Sequence, residues 1–488
     1  MFGERVQIPK AKYGARARLV TIFGCVNEEG RRSLHYVFDR GEPDYVESVI
    51  DGEQPVPSMA LQVPAACWYE RELHDQFGIE ITGSPDLRTL LFHQNWPADV
   101  HPMVQAPLQD IPWIAANEGS HSDNYRFLEV QGAGIIEVPV GPVHAGIIEP
   151  GHFRFSVMGD TVLHLELRHF YTHKGTEKLF QGRPVTAGAM LAESVSGDNC
   201  FSHAVAYCQA LEAAFRISIP PRAAALRLIG LELERLIAHI GDVGALCNDI
   251  GFGVPATRAA GLKEDLLQAS TQWISTRYWR GVAMPGGLRA DVGACADFAR
   301  TLNQTALRFA ELARIILENS SVQDRFDSAG VLKRQVARDL AVVGPVARAS
   351  GVDLDVRRDH PYGWYTRSKP NVPSLHYGDV MARARIRIEE AAASEELIQQ
   401  TVGALPEGEI STPCEWNQRV QGCSAVESPR GELFYWVEAR DGFISRCHIK
   451  SPSFQNWPAF PFAVVGNVIA DFPLINKSFN LSYSGCDR

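Results

Sequence analysis

The stretch "AAALRLIGLELERLIAHIGDVGAL", Ala223 to Leu246, constrains this chain more than any other. Leu226, Ile229, Leu233, Leu236 and Ile240 recur at spacings of three and four residues. That period places them on one stripe of an α-helix, with the stripe turned toward a core. Polar groups interrupt the same helix at Glu234, His239 and Asp242. Further long helical segments are predicted over 297–318 and 378–402. A helix over "SHAVAYCQALEAAF" has Ser202 as its N-cap candidate.

The 488 residues exceed one ordinary domain. "RLVTIFGCV" (17–25) and "RSLHYVFD" (32–39) read as strands from their β-branched and aromatic content. "PDYVESVI" reads as a short helix, and "VPAACWYERELHDQFGI" as a helix entered through a proline. These segments predict a small α/β domain over 1–102. Residues 103–125 lack a clear period and are rich in Pro, Gly, Ser and Asn, which predicts a linker. Residues 126–488 form the second domain. It opens with strands "GAGIIEVPV", "GHFRFSVMGD" and "TVLHLELRHF". In the last of these, Leu163, Leu165 and Leu167 alternate with His164, Glu166 and Arg168, the pattern of a half-buried strand. Helices follow, and the last 60 or so residues return to strands and turns. The fold class is α+β.

The apolar fraction of 45% and charged fraction of 21% are those of a chain with a sizeable core. A net charge of −10 with no Lys/Arg run argues against nucleic acid as a partner. The first twenty residues have no continuous apolar core, which argues against a secretory signal. The longest apolar run, "FPFAVVGNVIADFPLI", is broken by Asn467 and Asp471 and is not a membrane span. The ten cysteines are singletons with no C-x-x-C pair. This usage fits a reducing compartment and argues against an iron–sulfur cluster held by this chain alone.

Three motifs carry chemistry. "GPVHAGIIEPGHFRF" sets His144, Glu149 and His152 on a loop rich in Gly and Pro. Such a loop either transfers protons or is a structural turn whose histidines satisfy backbone groups. On the central helix, His239 and Asp242 are three residues apart and share a face. They read either as members of a paired Asp–His system or as a surface toward a partner protein. "GPVARASGVDLDVRRDHPYGWY" alternates Arg348, Asp353, Asp355, Arg357, Arg358, Asp359 and His360. It reads as a solvated ion-pair network, with a cleft lining as the alternative.

Together with "FYTHKGTEK" and the terminal "FNLSYSGCDR", these segments resemble the large subunit of membrane-bound, energy-converting nickel–iron hydrogenases of the formate hydrogenlyase type. They equally resemble the quinone-site, D-type subunit of NADH-quinone oxidoreductase, respiratory complex I. The front segment "YERELHDQFGIEITGSPDLRTLL" resembles the small C-type subunit of complex I, so the whole is similar to a C/D fusion. In the hydrogenases, two Cys-x-x-Cys pairs hold the metal. The matching positions are Ser196, Asn199, Ser482 and Gly485, with Cys200 and Cys486 one residue beyond. Hydroxyl, amide and glycine do not replace the soft thiolates that nickel and low-valent iron require, so no metal is expected.

In the D-type subunit the resemblance implies a quinone head group in the vacated cavity, flanked by a loop His, its Asp partner and a Tyr. His152, with His144 beside it, matches the His, and Asp242 matches the Asp. The Tyr position is Ser194, and Met284 stands where the family has the Arg of "RPGG". The resemblance implies catalytic roles for His152, Asp242 and His144. It implies an acceptor cavity lined by Glu149, Ser194, Ser196, Asn199, His203, His239, Ser482 and Gly485. Electrons come from a 4Fe-4S cluster in a small partner subunit and pass toward a quinone-like acceptor, coupled to ion translocation by membrane subunits. NADH, if used, is oxidised by another subunit. The chain is expected peripherally on the cytoplasmic face of the bacterial inner membrane. The alternatives are a catalytically silent scaffold and an active nickel–iron hydrogenase.

Overall fold

The computed structural model describes residues 17–41, 45–93, 96–97, 99–104, 125–146 and 148–488. Most of the expected linker, 105–124, lies outside the described residues. The front module holds an antiparallel sheet of β1 (Arg18–Val26), β2 (Arg32–Asp39) and β3 (Val46–Asp51). "PDYVESVI" therefore contributes a strand, not a helix. Its burial alternates along Val46–Asp51, as suits an edge with one covered face. Helix α1 (Cys67–Phe77) follows a short turn of 3₁₀ helix that starts at Pro64, and it lies against β1. The approach is close: a Cβ on Gly24 would sit 2.8 Å from the Phe77 ring.

A second sheet joins β4 (Ile135–Val140), β5 (His152–Met158) and β6 (Thr161–Arg168). The alternation expected on β6 is incomplete. Glu166 and Arg168 are buried like Leu165 because the front module covers their face. Arg168 donates to the carbonyls of Thr89 and Phe92, and Glu166 pairs with Arg88. A third sheet, β7 (Val420–Ser428), β8 (Gly431–Arg440) and β9 (Phe443–Lys450), carries helix α2 (Cys200–Phe215) on one side. Asn199, not Ser202, occupies the N-cap position of α2. The Ser202 hydroxyl instead meets Glu234 of the next helix.

That next helix, α3 (Pro221–Asp249), is the central stripe-bearing helix. All five stripe residues are at most 2% exposed. It packs against α4 (Gly253–Ile274) and most extensively against α6 (Val380–Gly403), while α5 (Cys295–Glu318) covers α4. The two modules share a core. Val20, Phe23 and Val37 of the front sheet pack with Phe434 and Trp436 of β8. Polar links cross the same junction, including Thr21 Oγ1 with His448 Nε2 at 2.8 Å and Arg488 with Glu72 at 2.6 Å.

The stretch around Arg348 to Asp359 is an ion-pair network, but a buried one. Arg348, Asp355 and Arg357 are at most 1% exposed, whereas Asp353 and Arg358 pair at the surface. Arg357 grips Asp355 through Nη2 at 2.6 Å and reaches Glu232 of α3 at 3.0 Å. Arg348 joins Glu390 of α6 at 2.7 Å and Glu427 of β7 at 2.8 Å. The solvated reading fails because α3, α6 and β7 close over the segment.

Arg357→Ala removes the nearest cation of buried Glu232 and Asp355, leaving them only the longer pairs to Arg235 and Arg348. Breaking a buried pair costs roughly 3–5 kcal/mol, and a loss of that size is expected in denaturant unfolding of the full chain.

Candidate functional site

Four segments converge on Ser196, Ser482 and Gly485. Ser196 ends the turn after the short helix Gly188–Ala192, and Ser482 caps the short helix Tyr483–Asp487, its Oγ accepting from Gly485 N at 2.8 Å. The two hydroxyls are hydrogen-bonded to each other at 3.0 Å, although 286 residues separate them. A Cβ on Gly485 would lie 3.1 Å from Ser482 Cβ and 3.5 Å from Ser196 Cβ. Three of the four expected positions therefore meet. Asn199 is buried one turn behind them, with Oδ1 lacking a partner. His203 is one turn further along α2. Its Nδ1 meets the Tyr435 hydroxyl at 2.8 Å, and burial pushes its pKa down to about 3.

The donor set does not fit a nickel–iron centre. No thiolate is offered, and the direct contact of the two serines leaves no gap between them for an ion.

Glu149 and Gly151 lie against the terminal helix beside this cluster. His144 Nε2 meets Gly151 O at 2.7 Å, and Gly151 N donates to Pro142 O at 3.0 Å. Gly141 has φ +79°, and a Cβ there would lie 2.2 Å from Gly151 O, so only glycine fits. Glu149 reaches across to accept from Ser484 N at 2.9 Å. Lys174 donates to Ser484 Oγ at 2.6 Å, and Thr172 holds Asp487 through its N–H and hydroxyl at 3.0 and 2.7 Å.

The pairing expected between His152 and Asp242 is not made. His152 Nδ1 bonds Gly141 O at 3.1 Å, which makes Nδ1 the protonated nitrogen, and Nε2 faces Arg154 Nε at 3.4 Å. Burial, with Arg154 and Arg168 nearby, lowers the His152 pKa and keeps the ring neutral. Asp242 is taken by Arg387 Nε at 3.0 Å and Asn480 Nδ2 at 2.6 Å. An arginine on α6 takes the place at Asp242 that the resemblance implied for a histidine. Two other expected cavity residues lie elsewhere. Ser194 is exposed and donates to Met190 O at 3.2 Å. His239 is fully buried and joins Glu390 at 2.9 Å in the ion network.

Sequence reasoning missed the connecting residues. Ser196 Oγ donates to Asp198 Oδ1 at 2.9 Å, and Asp198 is also ion-paired with Arg430. Arg430 Nε donates to Asn480 O at 2.5 Å. A continuous hydrogen-bonded chain thus runs Ser482–Ser196–Asp198–Arg430–Asn480–Asp242–Arg387. Against the opposing effect of desolvation, the Arg430 charge holds Asp198 below the usual carboxylate range. Glu234 lies on the other side of α2. It accepts from the N–H groups of Phe201 and Ser202, yet burial pushes its pKa up to about 7. The signal for Arg430 was a lone cation in the tight turn "SPRGE" between two apolar strands.

The comparisons with known proteins agree with this architecture. Residues 9–109 match the family described as "Respiratory-chain NADH dehydrogenase, 30 Kd subunit", and 249–420 and 414–488 match the corresponding 49 Kd subunit family. The chain is 30% identical to "Hydrogenase-4 component G" of Escherichia coli over 451 residues, covering 91% of this chain and 78% of that one. The chain belongs to this complex I and hydrogenase subunit family. It is also 30% identical to "Formate hydrogenlyase subunit 5" of Escherichia coli, covering 96% and 84% of the two chains. It is 27% identical to the C/D subunit of NADH-quinone oxidoreductase of Phocaeicola vulgatus, covering 94% and 93%. A chain of an archaeal membrane-bound sulfane sulfur reductase shares the fold, with a TM-score of 0.68 over 73% of this chain and 99% of that one, at 24% identity. Among the described residues, no helix is long and apolar enough to cross a membrane.

Ser482→Ala removes both the cap of the terminal helix and the partner of Ser196. A loss of about 1 kcal/mol, the usual size for a lost N-cap, is expected in thermal or denaturant unfolding.

Proposed function

We propose that this chain is a peripheral-arm subunit of a membrane-bound, complex I-like oxidoreductase. It receives electrons from a 4Fe-4S partner subunit and directs them toward a quinone-like acceptor, with turnover coupled to ion translocation by membrane partners. The carrying observation is the convergence of Ser196, Ser482 and Gly485, without thiolates, at the end of the Asp198–Arg430–Asn480–Asp242 chain. Family membership supports the assembly, since the relatives are named as oxidoreductase and hydrogenase subunits.

The acceptor head group is assigned to the space bounded by the Gly141–Gly151 loop and the Ser196–Ser482 pair. The Arg430 guanidinium, whose Nη1 is buried without a hydrogen-bond partner, is a donor suited to a carbonyl oxygen that gains negative charge. His152 and His144 hold the loop closed through their bonds to Gly141 and Gly151. Asp242 keeps Asn480, and through it Arg430, in place.

The proposal has two readouts. The chain purified with its partners is expected to sediment with membranes and to carry no stoichiometric nickel by elemental analysis. In that complex, Asp198→Asn and Asp242→Asn loosen the hold on Arg430 and are expected to lower quinone reduction by roughly 10²-fold, the size of one lost oriented donor, with assembly intact. Unchanged turnover in both variants would remove the acceptor role and favour a silent scaffold. One nickel per chain would favour a hydrogenase.

A further inference from the structure

The ion network beneath the site is short of one positive charge. Its carboxylates are Glu232 on α3, Asp355, Glu390 on α6 and Glu427 on β7. Its guanidiniums are Arg235, Arg348 and Arg357. Every one of these seven side chains is at most 2% exposed. Four anions against three cations leave one net negative charge out of water, and an uncompensated buried charge is removed by protonation.

The neighbours do not make up the deficit. His239 faces Glu390, and burial lowers its pKa, so the ring is neutral. Tyr365 donates to Glu232, and Tyr362 accepts from Glu427 N; burial raises the pKa of both phenols and keeps them neutral. The adjoining cluster at the module junction balances itself, with Arg18 and Lys450 against Asp39 and Glu432. His360 is bonded to Asp39. Asp353, Arg358 and Asp359 pair among themselves toward solvent.

Geometry locates the missing proton. Arg348 Nη1 lies 2.8 Å from Glu427 Oε1 and 3.3 Å from Asp355 Oδ2, so these two carboxyls share one guanidinium nitrogen. Both carboxyls line a cavity of about 10 Å³ whose other walls include Asp39, Asp359 and His360. That is room for about one water molecule. We propose that the network stores one exchangeable proton on the Glu427–Asp355 pair, loaded and emptied through the water-sized cavity at the junction of the two modules. Burial and the Asp355 charge push the Glu427 pKa up to about 7, whereas Arg357, opposing burial, holds Asp355 below the usual range, so Glu427 carries the proton.

The store lies behind the candidate site. Glu427 is joined through Arg348 and Glu390 to His239, and Asp242 follows one turn along the same face of α3. Loading the store changes the charge felt at Asp242, and this use of it rests on the acceptor reading above.

Full-length wild type, Glu427→Gln and Asp355→Asn are compared by infrared spectroscopy without any acceptor. Wild type minus Glu427→Gln at pH 6 is expected to show the carbonyl band of a protonated carboxylic acid, fading as pH rises through about 7. Asp355→Asn is expected to lose the same band although Glu427 remains, because three carboxylates then match three guanidiniums. Since the folded pKa lies above the ordinary 4.5, wild-type stability falls as pH rises from about 4.5 to about 7, and Glu427→Gln lacks that component. A flat difference spectrum at pH 6, or a band that survives in Asp355→Asn, overturns the store. Neither outcome bears on electron transfer, and lost quinone turnover leaves these equilibrium readings untouched.

Discussion

Three buried arginines hold this molecule in register. Each presents a rigid fork filled from two elements: Arg235 from α3 and β7, Arg348 from α6 and β7, and Arg357 from α3 and its own Gly344–Asp359 segment. Apolar packing between α3 and α6 tolerates small sliding and rotation, because dispersion contacts are numerous and individually weak. Bidentate bonds do not, since a guanidinium satisfies two acceptors only at fixed angles. The network thereby sets where α3 presents Asp242 and where β7 delivers the Arg430 turn. The hydrogen-bonded chain under the vacated ligand positions depends on both placements.

Much of the scaffold was readable from period and composition. The stripe on α3, the helices near 297–318 and 378–402, and the strands of the front and middle sheets follow from spacing that any partner would have to respect. The failures have a common cause. "PDYVESVI" has the mixed polarity of a short helix, but pairing with β2 decides its state. Glu166 and Arg168 look solvent-facing because a strand alone cannot report that another module lies on its polar side. The ion-rich segment looks hydrated because alternating charge usually is, and only the three covering elements bury it.

The site was legible as positions and not as contacts. Ser196, Ser482 and Gly485 were identified as replacing ligands, and they do meet. The His152–Asp242 pair was inferred by matching one residue at a time, and the fold gives each a different partner. A carboxylate on a helix accepts from whichever donors its neighbours supply, and Arg387 on α6 and Asn480 fill the two oxygens of Asp242. Asn480 lies within the terminal motif and Arg430 in a tight turn, but no spacing in the sequence ties these two or Asp198 to one another. Their importance comes from sharing hydrogen bonds across more than 200 residues of chain.

The mutual contact of Ser196, Ser482 and Gly485 also bears on how such a centre changes over evolutionary time. A thiol introduced at Gly485 alone would press on Ser482, whose hydroxyl already caps the backbone there. A thiol at Ser482 alone would weaken that cap, and one at Ser196 alone would leave Asp198 without a hydroxyl donor. Each single step back toward a metal cradle gives up a contact that now holds the segment together, and gains no ion until the remaining thiols arrive. The small hydrogen-bonded cluster therefore acts as a ratchet. Single thiol substitutions at these positions each lose stability, and a four-thiolate arrangement is reached only by changing them together.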